Sequence, residues 1–131
     1  MKLVTTESGS KEARTSITNF LRKGFSLYTV DIALAESLSA IWKHVKLHRD
    51  LKAEDALSAV QDLTKIYDKL NILTVRELSE ETVEIALTHN MTIYDSVYIA
   101  AARRIGATLY TVDQKLHNSS KRVTVSKLLK I

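Results

Sequence analysis

The chain has 131 residues, 45% hydrophobic and 26% charged, with 19 Lys and Arg against 15 Asp and Glu, and neither cysteine nor proline. That length suits a single domain, 1–131, built on one core, and the balance is too apolar for a disordered chain. No run approaches the length of a membrane span, the first residues lack the apolar core of a secretory signal, and disulfide or thiolate chemistry is excluded, so a cytoplasmic protein is expected.

In chain order, Ser10 is a candidate cap for a helix whose Ala13, Ile17, Phe20 and Leu21 form one apolar stripe and which Gly24 stops. Ser26 to Val30 reads as a short buried strand. Asp31 is a candidate N-cap for a helix from Ile32 to about His48, with Leu34, Leu38, Ile41, Trp42 and Val45 on one face and Glu36 nearly opposite. Small or apolar neighbours of Glu36, namely Ile32, Ala35, Ser39 and Ala40, suggest that this helix is covered on both sides. Residues 54–70 carry an amphipathic helix through Leu57, Val60, Leu63, Tyr67 and Leu70. Ile72 to Val75 is a strand, Ser79 opens a helix to about His89, and Thr92 opens another that ends at Gly106. Ala107 to Val112 is a strand with Asp113 at its end, and Val123 to Val125 a last short strand before a terminal helical turn. Strands alternating with helices predict an α/β fold with a mostly parallel sheet, in which ligands gather at the carboxyl ends of the strands.

Glu36, Asp95 and Asp113 each stand as the only charge within an apolar run, whereas most other acids have charged neighbours, as in Glu54-Asp55 and Glu80-Glu81. A carboxylate carried into apolar surroundings is costly unless it is paired, protonated or bound to a cation. Taken singly, each has a structural explanation: Asp95 stands three residues after the cap Thr92, Asp113 is a turn former after a strand, and Glu36 is a helix acid that reaches water. Taken together, a strand-end Asp, a first-turn Asp and a mid-helix Glu can converge at one sheet edge around a divalent cation. Hard oxygen ligands favour Mg²⁺ or Mn²⁺, and such ions on a phosphodiester can generate the attacking hydroxide.

The segments Ala35-Glu36-Ser37-Leu38-Ser39-Ala40-Ile41-Trp42, Thr92-Ile93-Tyr94-Asp95-Ser96-Val97-Tyr98-Ile99-Ala100-Ala101-Ala102 and Leu109-Tyr110-Thr111-Val112-Asp113-Gln114-Lys115-Leu116 resemble the second, third and fourth acidic motifs of PIN-domain ribonucleases. The likeness is strongest to the VapC toxins of toxin-antitoxin pairs. It implies a three-layer α/β/α sandwich, a metal-dependent endoribonuclease with Glu36, Asp95 and Asp113 as metal-binding acids, and Thr111 as a helper. It also implies a homodimer held by a VapB-type antitoxin. The family usually opens with an apolar strand ending in Asp, the first metal ligand, and that opening is not seen ahead of Lys2. Three accounts fit: a start further upstream, Leu3 to Thr6 in the strand's place, or a neighbouring subunit filling the gap. Glu7 stands near the missing acid without being counted as a ligand. A non-catalytic PIN-like module that binds RNA or protein is the alternative function.

Residues 114–131 hold Lys115, Lys121, Arg122, Lys127 and Lys130 without an acid, either a solubilising tail or a strip that follows a phosphate backbone. Lys115, Lys121 and Arg122 are the candidate RNA contacts. His44 and His48 are four apart on a helix but lack a third zinc ligand, and neither a glycine-rich phosphate loop nor a nucleophile elbow is found.

Overall fold

The structure, a computed structural model, describes residues 2–6, 11–111, 113–121, 123–124 and 126–128, with 127 and 128 described by their backbone alone. The elements are β1 (Lys2–Thr5), α1 (Lys11–Arg22), β2 (Ser26–Val30), α2 (Ile32–Lys46), α3 (Ala53–Tyr67), β3 (Asn71–Leu73), α4 (Ser79–His89), α5 (Ile93–Ile105), β4 (Thr108–Thr111), α6 (Gln114–Ser120) and β5 (Ser126–Leu128). The strands form one parallel sheet in the order β3-β2-β1-β4-β5. The expected α/β architecture is therefore present, and the place of its central strand is taken by Lys2–Thr5. Leu3 stands opposite Leu27 and Thr108, and Val4 opposite Tyr28 and Leu109.

Alternation along the inner strands sends apolar side chains to both faces, as a sheet covered on both sides requires. Leu3 and Leu27 pack with Ile17, Phe20 and Leu21 of α1, Ile66 of α3 and Leu70 just beyond it. Val4, Val30 and Leu109 point the other way, into a larger cluster with Leu78, Ile85 of α4 and Val97 to Ala102 of α5. The result is a three-layer sandwich. α5 is its most enclosed helix, with every residue from Ser96 to Ala102 buried. Burying Ile99 completely contributes about 2 kcal/mol by transfer alone, and Ala100, Ala101 and Ala102 let the helix axis lie close to the strands. Gly106 ends this helix with φ of 64°, its N–H reaching back to the carbonyls of Ala102 and Arg103, a left-handed cap that glycine adopts without a Cβ clash.

Five details depart from the sequence expectations. First, α2 buries Ala33, Ser37 and Ile41, while Leu38 and Trp42 are exposed. Small residues at four-residue spacing let α2 approach its neighbours closely, and that contact outweighs the larger apolar stripe. Glu36 is accordingly half-buried rather than opposite the core. Second, Asp31 does not cap α2: its Oδ1 accepts the Val75 N–H at 3.0 Å, tying the end of β2 to the loop after β3. Third, the last strand is Ser126–Leu128, three residues later than expected, with Val123 and Thr124 in the preceding turn. Fourth, α6 was not expected, because it buries only Leu116 and Ser120 and so shows no readable apolar period. Fifth, Leu57 lies exposed on α3, which packs through Ala59 and Leu63 instead. Ser10, Glu7, Val112, Arg122 and Val125 lie outside the described residues. No helix among the described residues is long and apolar enough to cross a membrane.

Candidate active site

The carboxyl ends of β1, β2 and β4 carry a set of threonines in place of apolar residues. Thr29 Oγ1 donates to the Thr5 carbonyl at 2.7 Å, and the hydroxyls of Thr6 and Thr111 are hydrogen-bonded at 3.1 Å, both buried. The Asp113 N–H in turn donates to Thr111 Oγ1 at 3.0 Å. One short chain of hydroxyl contacts thus ties the end of the central strand to the end of β4. Thr5 Oγ1 and Ser96 Oγ are buried here without a hydrogen-bond partner, the kind of unsatisfied polar group that a fold keeps at a cost.

Asp113 follows β4 and caps α6. Its Oδ1 accepts the N–H groups of Lys115 at 2.9 Å and Leu116 at 3.2 Å, a cap that orients the carboxylate and leaves Oδ2 for a further partner. Asp95 sits in the first turn of α5, where the cap Thr92 accepts the Asp95 N–H at 3.1 Å. Burial pushes the Asp95 carboxyl above its usual range, and the negative charge of Asp113 pushes it the same way. The Lys115 ammonium and a hydrogen bond with Thr92 oppose that rise. The Asp95 carboxyl therefore feels the charges of both Asp113 and Lys115.

Glu36 reaches the same region from α2 through a side chain that sequence reasoning missed. The phenol of Tyr98, itself buried, donates to Glu36 Oε1. Tyr98 lies three residues after Asp95 and therefore on the same face of α5. The tether places Glu36 one helical turn from Asp95. The signal was the spacing in Asp95-Ser96-Val97-Tyr98, a hydrogen-bonding phenol one turn below an acid on an otherwise apolar helix. Among the described residues no three of His, Asp and Glu converge closely enough to enclose a metal ion. The arrangement is Asp95 under the charge of Asp113, with Glu36 tethered to the same helix by Tyr98.

Of the expected RNA contacts, Lys115 stands at the acid pair and Lys121 is exposed just beyond α6. Thr111 is buried, with its hydroxyl engaged by Thr6 and the Asp113 amide. His44 does not join a metal centre: its Nδ1 bonds the Asp50 carboxylate at 2.9 Å, at a surface site away from the acids.

The family model for the PIN domain matches residues 3–121. The chain belongs to the PIN domain family. It is 34% identical over 91 residues to Ribonuclease VapC3 of Pyrobaculum aerophilum, an alignment spanning 69% of this PIN domain chain and 68% of that relative. In fold it is similar to the crystal structure of PAE2754 from the same organism, with a TM-score of 0.74 at 20% identity, covering 96% of this chain and 89% of that one. It is also similar to VapBC2 from Rickettsia felis, solved bound to a DNA fragment from their promoter, with a TM-score of 0.60 at 16% identity, covering 99% and 100% of the two chains. The PIN fold places Glu36, Asp95 and Asp113 at the carboxyl side of the parallel sheet, where open α/β folds hold their ligands.

Proposed function

We propose that this chain is a divalent-metal-dependent endoribonuclease of PIN/VapC toxin type, cleaving RNA phosphodiesters at the carboxyl edge of the sheet through Glu36, Asp95 and Asp113. The observation that carries this reading is the Asp95–Asp113 pair: two acids from different elements, with the carboxyl of half-buried Asp95 pushed up by burial and by the charge of Asp113. Like charges so placed favour either a proton or a cation between them. Mg²⁺ commonly takes one or two protein carboxylates and completes its shell with water and substrate phosphate, and Mn²⁺ accepts the same hard oxygens. A pair with a third acid tethered alongside fits that habit. A bound ion would supply charge neutralisation at the phosphate and a more acidic water.

The chain's own residues divide the remaining work. Asp113 offers Oδ2 while two amides fix its Oδ1. Tyr98 holds Glu36 in one orientation, which preserves the geometry that a coordinating or water-orienting carboxylate needs. Thr111 acts as a positioning residue, fixing the backbone from which Asp113 projects. Lys115 places a cation beside the acids, where it attracts the phosphate, and exposed Lys121 follows it just beyond α6. Solved structures described as VapBC2 and FitAB support a VapB-type antitoxin partner, and the resemblance to VapC toxins implies a homodimer. Exposed Leu87, Tyr94 and Trp42 offer apolar surface that association would cover.

A second reading, a non-catalytic RNA- or protein-binding module, is favoured by one observation: β1 ends in Thr5 and Thr6, hydroxyls where the family usually has an acid. A cleavage assay on single-stranded and structured RNA separates the two. The nuclease reading predicts Mg²⁺- or Mn²⁺-dependent cleavage that Asp95→Asn abolishes while RNA binding remains. RNA binding without cleavage by the parent chain would leave the second reading standing. Equal cleavage by Asp95→Asn would remove the acids from the chemistry.

A further inference from the structure

A second charged feature lies away from the acids. A groove of about 470 Å³ runs between α1 and α3, lined by Lys11, Arg14, Asn19, Arg22, Asp62 and Lys65. Four cations therefore face one acid. The ion pairs among the described residues lie elsewhere, joining His44 to Asp50 and Arg104 to Glu77 and Glu81. Lys11, Arg22 and Lys65 are exposed and line the groove. Thr15 and Thr18 turn their hydroxyls back to the carbonyls of Lys11 and Arg14, so the groove's donors for a ligand include Lys11, Arg22, Lys65 and the Asn19 amide. That is a donor set for anions.

We infer that this groove binds the sugar-phosphate backbone of single-stranded RNA, holding the strand beyond the scissile bond; the inference rests on the nuclease reading above. Position supports it. Thr6 bonds Thr111, whose hydroxyl accepts the Asp113 amide, so the end of β1 lies at the acid site. Lys11 follows Thr6 by five residues, and the chain between them spans at most about 18 Å. The groove therefore opens near the acids, and α1 carries it away from them for roughly another 18 Å. Contacts of this type, from Lys, Arg and Asn to phosphate, set the register of a nucleic acid without reading its bases. An acidic protein segment is the other polyanion to weigh. Such a segment docks through apolar anchors as well as charge, and Ile66 is the only apolar side chain lining this groove among the described residues.

The test uses the full chain carrying Asp95→Asn, which keeps the RNA intact, and a labelled single-stranded oligouridylate followed by fluorescence anisotropy between about 50 and 200 mM salt. Exchanging Lys11, Arg22 and Lys65 together for Ser should weaken binding at least about tenfold at the low-salt end. It should also lower the slope of log affinity against log salt by about two, the value for three lost phosphate contacts on a single strand. An unchanged slope in a variant whose circular dichroism matches the parent would overturn the groove. On the unsubstituted groove, photocrosslinking of 4-thiouridine RNA should mark peptides of α1 and α3, and crosslinks confined to other segments would overturn it equally. Poly-glutamate of matched charge should bind far more weakly than RNA; equal binding, lost in the same variant, would replace RNA with an acidic protein. Loss of slope in the variant, in a chain whose Asp95-bearing form never cleaves RNA, would keep the groove and reject the nuclease. Cleavage with an unaltered slope would do the reverse.

Discussion

Tyr98 and Asp95 show how much of this site is set by single atoms. The Tyr98 hydroxyl is the recorded contact that draws Glu36 toward the first turn of α5. Tyr98→Phe keeps the buried ring and removes the hydroxyl that bonds Glu36, so the fold should lose about 1 kcal/mol. Mn²⁺ affinity should fall by roughly tenfold, the usual scale for a residue that orients a ligand; isothermal titration with Mn²⁺ and a urea melt measure the two effects separately. Asp95 carries the opposite lesson. Burial and the charge of Asp113 raise its folded pKa above its unfolded value of about 4. The folded state then holds the proton more tightly, so stability is greatest below the unfolded pKa and falls as pH rises through the folded one. Asp95→Asn removes that penalty. Its melting temperature should exceed the parent's at pH 7 in metal-free buffer, and the difference should shrink toward pH 4. A variant less stable than the parent at pH 7 would mean that the Asp95 carboxylate is stabilised by its surroundings rather than opposed by them.

At the level of elements, α5 does two jobs through one sequence. Its first turn presents Asp95, and its middle, Ser96 to Ala102, is fully enclosed between the sheet and α4. The alanines set the separation of helix and strands. Ala101→Leu should cost about 1–3 kcal/mol by overpacking, seen as a lower urea midpoint with an unchanged slope, and it should also disturb the acid at the head of the helix. The sequence made this element legible because its cap, its apolar run and its closing glycine all agree: Thr92 caps, and Gly106 ends the helix as expected. α2 was read partly right: Ile41 is buried with Leu34 packed beside it, but Leu38 and Trp42 of the same expected stripe are exposed. There the large apolar residues Leu38 and Trp42 suggested a stripe, while close packing of Ala33, Ser37 and Ile41 decided the orientation. Such a choice depends on which partner surface is available, and periodicity alone does not carry it. α6 escaped notice for a simpler reason: a seven-residue polar helix is defined by the Asp113 cap more than by its own pattern.

Across the whole molecule, parallel order brings the ends of β1, β2 and β4 together, and with them residues as distant in sequence as Thr6 and Thr111. The candidate acids were legible as isolated charges in apolar runs; the Tyr98 tether and the basic groove were not. Glu12 stands next to Lys11 and near Arg14 along the chain but does not line the groove, so counting charge by segment conceals what folding gathers on one surface. The central claim concerns the pair formed at the carboxyl edge, Asp95 with Asp113, as a seat for a divalent cation. Its most direct test is Mn²⁺ binding by electron paramagnetic resonance on the parent chain, Asp95→Asn and Asp113→Asn, each checked for native circular dichroism. The account predicts one bound Mn²⁺ in the parent and at least about a tenfold loss of affinity in either variant; equal affinity in all three would contradict it.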